Sequence, residues 1–271
     1  MTRSIPYWHV DAFASATFGG NQAAVMMLDQ WLPDDVLQRI GEENNFAETA
    51  FLVRDETGAA DWELRWFTPT VEVVLCGHAT LASGHVLLDP ANGFDCGEQV
   101  RFRTRKSGIL EVRRDGDLLA LSLPALASEL DPHEELLDVL GAPGTVYQCL
   151  NKEQETAIVL YESEAAVRAL APDFARLKDI NLMVIATAPG CATDIVSRVF
   201  VSAYGIDEDS VTGSAHAALT PFWADRLGRS TFTAHQASAR GGDLTLRLEG
   251  ERAWLGGPCV TVVEGKFYLT G

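Results

Sequence analysis

The chain has 271 residues, of which 47% are hydrophobic and 22% charged, a composition typical of a packed globular protein rather than a disordered one. Its formal net charge of −17 argues against a nucleic-acid partner, because phosphate contacts require clustered Lys and Arg. The five cysteines are scattered and form no C-x-x-C pair, so the spacing predicts neither a disulfide framework nor a zinc site. The sequence shows neither a signal peptide nor an apolar run long enough to span a membrane, so a cytoplasmic protein is expected.

The first part of the chain predicts mainly strands and one buried helix. Short runs rich in apolar residues predict strands at 7–13, 23–28, 51–53 and 62–67. Pro33 and the two aspartates after it predict the start of a helix over 33–40. From Gly77 to Leu88, small and apolar residues occupy every side of a helical projection, which predicts a helix buried in a core.

The remaining chain repeats this order of elements. Three strand candidates lie between Arg101 and Leu123, and the proline-flanked stretch from Pro124 to Pro132 is the best domain boundary. Helices are predicted at 134–140, 164–170 and 213–227, and strands at 157–161, 182–186, 195–201 and in several short runs between 231 and 269. Because there is no regular βαβ alternation, we predict an α+β fold in two halves, residues 1–123 and 124–271.

A short motif occurs once in each half. Glu72–Ala79 reads Glu-Val-Val-Leu-Cys-Gly-His-Ala, and Glu208–Ala215 reads Glu-Asp-Ser-Val-Thr-Gly-Ser-Ala. Each copy precedes a predicted buried helix, whose first N–H groups lack an intrahelical partner and carry the positive end of the helix dipole. Two such helix starts facing each other would form a pocket suited to a carboxylate or a developing enolate.

Two side chains of the first half are candidates for proton transfer. Glu48 has apolar neighbours on both sides, and a desolvated carboxylate has a raised pKa that suits a proton shuttle. The alternative is a glutamate that points to solvent at a strand edge. His78 follows the glycine of the first motif and can act as acid, base or oriented donor, or it can be a satisfied core or capping histidine.

The residues around the two glycines add further candidates. Asp209 and Ser214 flank the second helix start, where Ser214 could donate to a substrate oxygen, or both could simply cap the helix. Cys76 precedes the first glycine and could serve as a base, since a helix N-terminus lowers a thiol pKa. The equivalent position is Thr212, so a two-thiol racemase would lack its second cysteine. Motifs for nucleotide binding, metal proteases and serine hydrolases are absent from the sequence, which leaves acid/base isomerisation.

Five strings of this sequence together resemble the PhzF-like, phenazine-biosynthesis-type isomerase family. They are Gly20–Val25 (Gly-Asn-Gln-Ala-Ala-Val), Glu48–Phe51, Cys76–Thr80, Glu208–Ala215 and Gly256–Val262. The resemblance implies a diaminopimelate-epimerase-like fold of two pseudo-repeated lobes, each a curled, mostly antiparallel sheet around a central helix, with the active site between them. It also implies that no cofactor is needed, that homodimers are common, and that the last strand can return to the first lobe.

The resemblance also assigns roles to particular residues. It implies that Glu48 is the acid/base, while the residues at His78, Asp209 and Ser214 line the site and hold the substrate. The neighbouring substrate-binding candidates are Gly77, Ala79, Gly213 and Ala215, with Asn21 and Cys76 as further candidates. Ser210 and Gln22 stand where the family often has proline, and the resemblance leaves the substrate open.

The sequence therefore predicts a cofactor-independent isomerase of biosynthetic type that moves a proton on a small anionic metabolite, with no metal and no nucleic-acid or membrane partner. One alternative is a racemase or epimerase that uses Cys76 as one base. A second alternative is a non-catalytic small-molecule binding protein of the same fold.

Overall fold

The structure is a computed structural model that describes residues 2–150 and 155–270, and sheet dominates its mixed α and β architecture. The first strands are β1 (Thr2–Ala12), β2 (Asn21–Met27), β3 (Glu48–Arg54), β4 (Trp62–Phe67), β5 (Glu72–Val73), β6 (Gln99–Arg103), β7 (Ile109–Asp115), β8 (Leu118–Pro124) and β9 (Ser128–Leu130). The later strands are β10 (Thr145–Cys149), β11 (Thr156–Leu160), β12 (Met183–Pro189), β13 (Ile195–Val201), β14 (Ile206–Asp209), β15 (Thr231–Gln236), β16 (Gly242–Glu249), β17 (Arg252–Gly257) and β18 (Cys259–Thr270). The helices are α1 (Asp34–Asn44), α2 (Gly77–Leu88), α3 (Glu134–Leu140), α4 (Glu164–Ala169), α5 (Phe174–Leu177) and α6 (Gly213–Leu227).

None of the helices in residues 2–150 and 155–270 is long and apolar enough to cross a membrane. The chain divides into two compact units. The first unit comprises Met1–Ser122 and Gly256–Gly271, and the second comprises Leu123–Leu255. The last strand of the chain thus belongs to the unit that contains the first strand, with which it pairs over most of its length.

The first unit builds its sheet around the buried helix α2. Strand β1 pairs antiparallel with both β2 and β18, β2 pairs parallel with β3, and β3 pairs antiparallel with β4. Every residue of α2 except His85 is buried, as the small and apolar sequence predicted. A Cβ atom on Gly84 would lie 2.4 Å from the Val112 side chain, so this glycine allows α2 to pack directly on β7.

The second unit repeats the arrangement around α6. Strand β11 pairs parallel with β12, β12 pairs antiparallel with β13, and β15 pairs parallel with β13 and antiparallel with β16. Helix α6 is buried along most of its length and ends at Gly228, whose φ of 64° is the left-handed conformation of a helix C-cap. An apolar cluster that includes Leu136, Val184 and Phe200 packs with residues of α3 and α4 in this unit.

The internal repeat extends beyond the short motif that the sequence showed. In the first unit, Arg65 of β4 donates to both carboxylate oxygens of Glu72 at 2.7 Å, and its guanidinium lies 5.0 Å from the Phe67 ring. In the second unit, Arg198 of β13 donates to both oxygens of Glu208 at 2.8 Å, and lies 4.9 Å from the Phe200 ring. Each bidentate pair holds the strand that leads into the start of a buried helix.

Most of the predicted elements are confirmed. Strands β4 and β13 and helices α2, α3 and α6 have the predicted ends, and others differ by a few residues. Strands β9, β10 and β14 and helix α5 were missed. The β14 segment, Ile206–Asp209, is mainly acidic, so its strand geometry comes from pairing with β13 and not from an apolar pattern.

Candidate active site

The two proton-transfer candidates of the first unit lie in direct contact. Glu48 is the first residue of β3, and His78 is the second residue of α2. Glu48 Oε2 lies 2.9 Å from His78 Nε2, and the side chains are 16% and 5% exposed. Glu48 Oε2 is buried without a well-aligned hydrogen-bond partner among the described residues, so its contact with the imidazole is chiefly electrostatic. The glutamate therefore does not point freely to solvent.

Two more side chains hold the other side of the His78 ring. Asn21 Nδ2 lies 3.2 Å from His78 Nδ1, and Cys76 Sγ lies 3.6 Å from the same nitrogen. Asn21 is fixed by Gly20, whose φ is 63° and whose Cβ, if present, would lie 2.2 Å from the Ala12 carbonyl oxygen. If the Asn21 amide nitrogen donates to Nδ1, the ring proton lies on Nε2 and faces Glu48. A doubly protonated ring needs the amide oxygen on that side instead.

The charges of this cluster are coupled. Burial raises the pKa of the Cys76 thiol to about 11, and the neighbouring Glu48 carboxylate raises it further. Burial alone would lower the pKa of His78, but the Cys76 sulfur and the Glu48 carboxylate outweigh it and hold the pKa well above its usual value. Because the thiol is neutral near pH 7, Glu48 supplies the charge that keeps His78 protonated there. The prediction of a depressed thiol pKa at Cys76 is therefore wrong, since desolvation outweighs the helix N-terminus.

In the second unit, Asp209 makes local hydrogen bonds that fix the loop before α6. Its Oδ1 accepts from the Ser210 N–H at 2.8 Å, and its Oδ2 accepts from the Thr212 hydroxyl at 2.6 Å. Buried Gln236 supports the same loop, since its Oε1 accepts from the Thr212 N–H and its Nε2 donates to the Asp209 carbonyl, both at 2.8 Å. Sequence reasoning missed Gln236, because a lone glutamine in a strand carries no local signal.

The other candidates near the helix starts have fewer polar contacts. The Ser214 hydroxyl is 3.8 Å from Met183 Sδ, a weak partner. The N-cap residues Cys76 and Thr212 give no side-chain cap to their helices, so Gly77, Ala79, Gly213 and Ala215 lie in first turns whose N–H groups lack such a cap. Their role in substrate binding stays a prediction.

The two other histidines of α2 and α6 contact the surrounding fold. His216 lies 2.8 Å from the Thr212 carbonyl oxygen and 3.3 Å from the Ser197 hydroxyl, and burial lowers its pKa to about 4. His85 Nε2 lies 2.9 Å from the Thr261 hydroxyl of β18.

Residues 10–265 match the family model described as phenazine biosynthesis-like protein. The chain belongs to this family. It is 48% identical over 268 residues to an uncharacterized isomerase of Pseudomonas aeruginosa, across 98% of this chain and 99% of that relative. A crystal structure of a PhzF-family phenazine biosynthesis protein from Enterococcus faecalis matches with a TM-score of 0.90 at 40% identity, covering 98% of this chain and 100% of that one.

A more distant likeness shows the fold alone. A hydroxyproline epimerase from Agrobacterium vitis matches with a TM-score of 0.60 at 12% identity, over 98% of this chain and 93% of that one. With the closer structure, it confirms the predicted epimerase-like fold. The curated relatives that are named isomerases confirm the isomerase class.

Proposed function

We propose that this protein is a cofactor-independent isomerase that moves a proton on a small anionic metabolite by acid/base chemistry at Glu48. The 2.9 Å contact between Glu48 and His78 carries the proposal, because it places two titratable groups at a helix start within the first unit. Glu48 takes a proton from one carbon and returns it to another. Proton transfer by a positioned side chain typically contributes about 10²–10⁴-fold to a rate.

The neighbours of Glu48 support the anionic intermediate. Protonated His78 offers positive charge beside the carboxylate, and the uncapped N–H groups of the α2 first turn offer further donors. These local groups attract an anion despite the acidic net charge of the whole chain. We assign substrate orientation to Ser214, and we assign to Asp209 the positioning of the loop before α6, because its carboxylate already accepts two hydrogen bonds there.

Deuterium exchange tests the proposal. The protein is incubated in deuterated water with a panel of small unsaturated and amino carboxylates and with a metabolite extract, and incorporation is read by mass spectrometry. Glu48→Gln is expected to lower exchange at least about a hundredfold. The matched control is Glu43→Gln, an exposed glutamate of α1, which is expected to exchange like the unmodified protein. Equal exchange by Glu48→Gln would overturn the assignment of Glu48, and no exchange across the panel would favour a non-catalytic binding protein.

The thiol-dependent racemase is less well supported than the Glu48 mechanism. A thiol whose pKa is about 11 is almost wholly protonated at neutral pH, so little thiolate is present to act as a base. The position equivalent to Cys76 in the second motif is Thr212, which has no thiol. Cys76→Ser is therefore expected to keep measurable exchange under the conditions in which Glu48→Gln loses it. The reverse order would transfer the role of base from Glu48 to Cys76.

A further inference from the structure

Three different metal-ligating side chains converge at Glu48, Cys76 and His78. One ligand atom of each, a carboxylate oxygen, a sulfur and an imidazole nitrogen, lies within 4.8 Å of the other two. Among residues 2–150 and 155–270, this is the one group of at least three such side chains with that spacing. The sequence shows no zinc motif, because Glu48 lies in β3, distant in sequence from Cys76 and His78 at the start of α2.

We propose that a thiophilic divalent cation of the Zn²⁺ class binds at Glu48, Cys76 and His78 and inhibits the protein. The binding itself depends only on these three side chains. The inhibition rests on the proposed function, because it follows from occupying the carboxylate that would move the substrate proton.

The three ligand atoms lie near one another, but not yet at the spacing of a tetrahedral site. Ligand atoms around a tetrahedral zinc lie roughly 3.4–3.6 Å apart, given bonds of about 2.0–2.3 Å. In the structure, Cys76 Sγ is 3.9 Å from His78 Nε2, and Nε2 is 2.9 Å from Glu48 Oε2. The Nε2–Oε2 pair needs a shift of a few tenths of an ångström, whereas Cys76 Sγ, which is also 3.6 Å from His78 Nδ1, lies over the imidazole ring and would reach the Nε2 side by rotation of its side chain. Three protein ligands would then leave a fourth position open.

The surroundings of the three ligands also favour a cation. Glu48 Oε2 is buried and lies 2.9 Å from His78 Nε2, so a cation that displaces the imidazole proton would take over the positive charge beside this carboxylate. Ligation through Nε2 requires the ring proton on Nδ1, where Asn21 accepts it when its amide oxygen faces the ring, and this is the outer contact that orients a ligating histidine. A thiolate, an imidazole and a carboxylate together select zinc-like ions over Mg²⁺, which prefers oxygen ligands only.

The binding step conserves the charge of the buried cluster. The cation enters as the Cys76 thiol and the His78 imidazolium each release one proton to solvent, and one sulfur–metal and one nitrogen–metal bond form with one oxygen–metal bond to Glu48. Two positive charges arrive and two leave. The step needs neither an oxidant nor a reductant.

Cobalt absorption spectroscopy tests the site without reference to activity. The whole protein is titrated with Co²⁺, and a thiolate-to-cobalt charge-transfer band in the near ultraviolet is expected at one equivalent, with Zn²⁺ in competition abolishing it. Cys76→Ser is expected to lose the band and to bind Zn²⁺ at least about a hundredfold more weakly, whereas the matched control Cys191→Ser, an exposed cysteine, keeps both. Glu48→Gln retains the sulfur and is expected to keep the band with weaker binding, which separates loss of a ligand from loss of the fold.

Deuterium exchange then tests the inhibition separately. Zn²⁺ is expected to suppress exchange at least tenfold, a chelator is expected to restore it, and Mg²⁺ is expected to leave it unchanged. A charge-transfer band that survives in Cys76→Ser, or that disappears in Cys191→Ser, would refute the site. A normal cobalt spectrum in a protein that catalyses no exchange would leave the site standing and overturn the proposed function instead.

Discussion

Neutralising Glu72 tests whether the repeated arginine–glutamate pair stabilises the strand that leads into α2. The Arg65 side chain is 1% exposed and Glu72 is 33% exposed, and two hydrogen bonds of 2.7 Å join them. Glu72→Gln keeps the shape of the side chain but removes the charge. The Arg65 guanidinium then keeps Asp34 as its carboxylate partner, and the Asp34 side chain is 70% exposed.

The expected cost is about 1.5–3 kcal/mol of unfolding free energy, the usual value for hydrogen bonds to charged groups. It lies below the figure for breaking a fully buried ion pair, because Glu72 is partly solvated and Asp34 remains. Glu208→Gln in the second unit is expected to cost a similar amount, since Arg198 and Glu208 are 13% and 20% exposed.

The assay is denaturant unfolding, with the change read from the midpoint at an unchanged slope. The matched control is Asp138→Asn, which breaks the exposed pair of Asp138 with Arg176 and is expected to cost less than about 1 kcal/mol. If Asp138→Asn destabilised the protein as much as Glu72→Gln, burial would not explain the strength of the repeated pair, and the reasoning would be refuted.

Three further predictions concern buried groups. Burial lowers the pKa of His216 to about 4, so its neutral form stabilises the fold fully above the ordinary pKa near 6.5, and up to about 3 kcal/mol of unfolding free energy is lost as pH falls toward 4. Urea unfolding at several pH values measures this loss, and His216→Gln is expected to lose less stability over the same range. Mass-spectrometric thiol labelling is expected to modify exposed Cys191 much faster than buried Cys76, and equal rates would contradict the burial of the site. Gly84→Ala is expected to cost about 1–3 kcal/mol by overlap with Val112, whereas Gly265→Ala, which faces open space, should change stability by less than about 0.5 kcal/mol in the same assay.

The sequence predicts the buried helices well because their local signals are strong. In α2 and α6, a glycine at the start and small or apolar residues on every side agree with the burial that the fold imposes. The acidic strand β14 has no such agreement. Its backbone pairs with β13, and Glu208 is held by Arg198, so contacts distant in sequence decide its structure.

The candidate site shows the same division. Sequence reasoning singled out Glu48 and His78 separately, from their neighbours and from the resemblance. Their contact depends on where β3 and α2 lie in the first unit, which no spacing along the chain encodes. Of the neighbours around the ring, Cys76 is local, two residues from His78, whereas Asn21 meets the ring only through the fold.

The two units share the same supporting contacts but differ in the side chains at their helix starts. Both units have the bidentate arginine–glutamate pair and a helix start without a side-chain cap, so these features alone do not specify a proton carrier. The first unit places charged or titratable groups there, at Cys76 and His78, while the second places the hydroxyls of Thr212 and Ser214. Because hydroxyls hold and orient but rarely carry protons near neutral pH, this asymmetry agrees with the proposal that Glu48 of the first unit moves the proton.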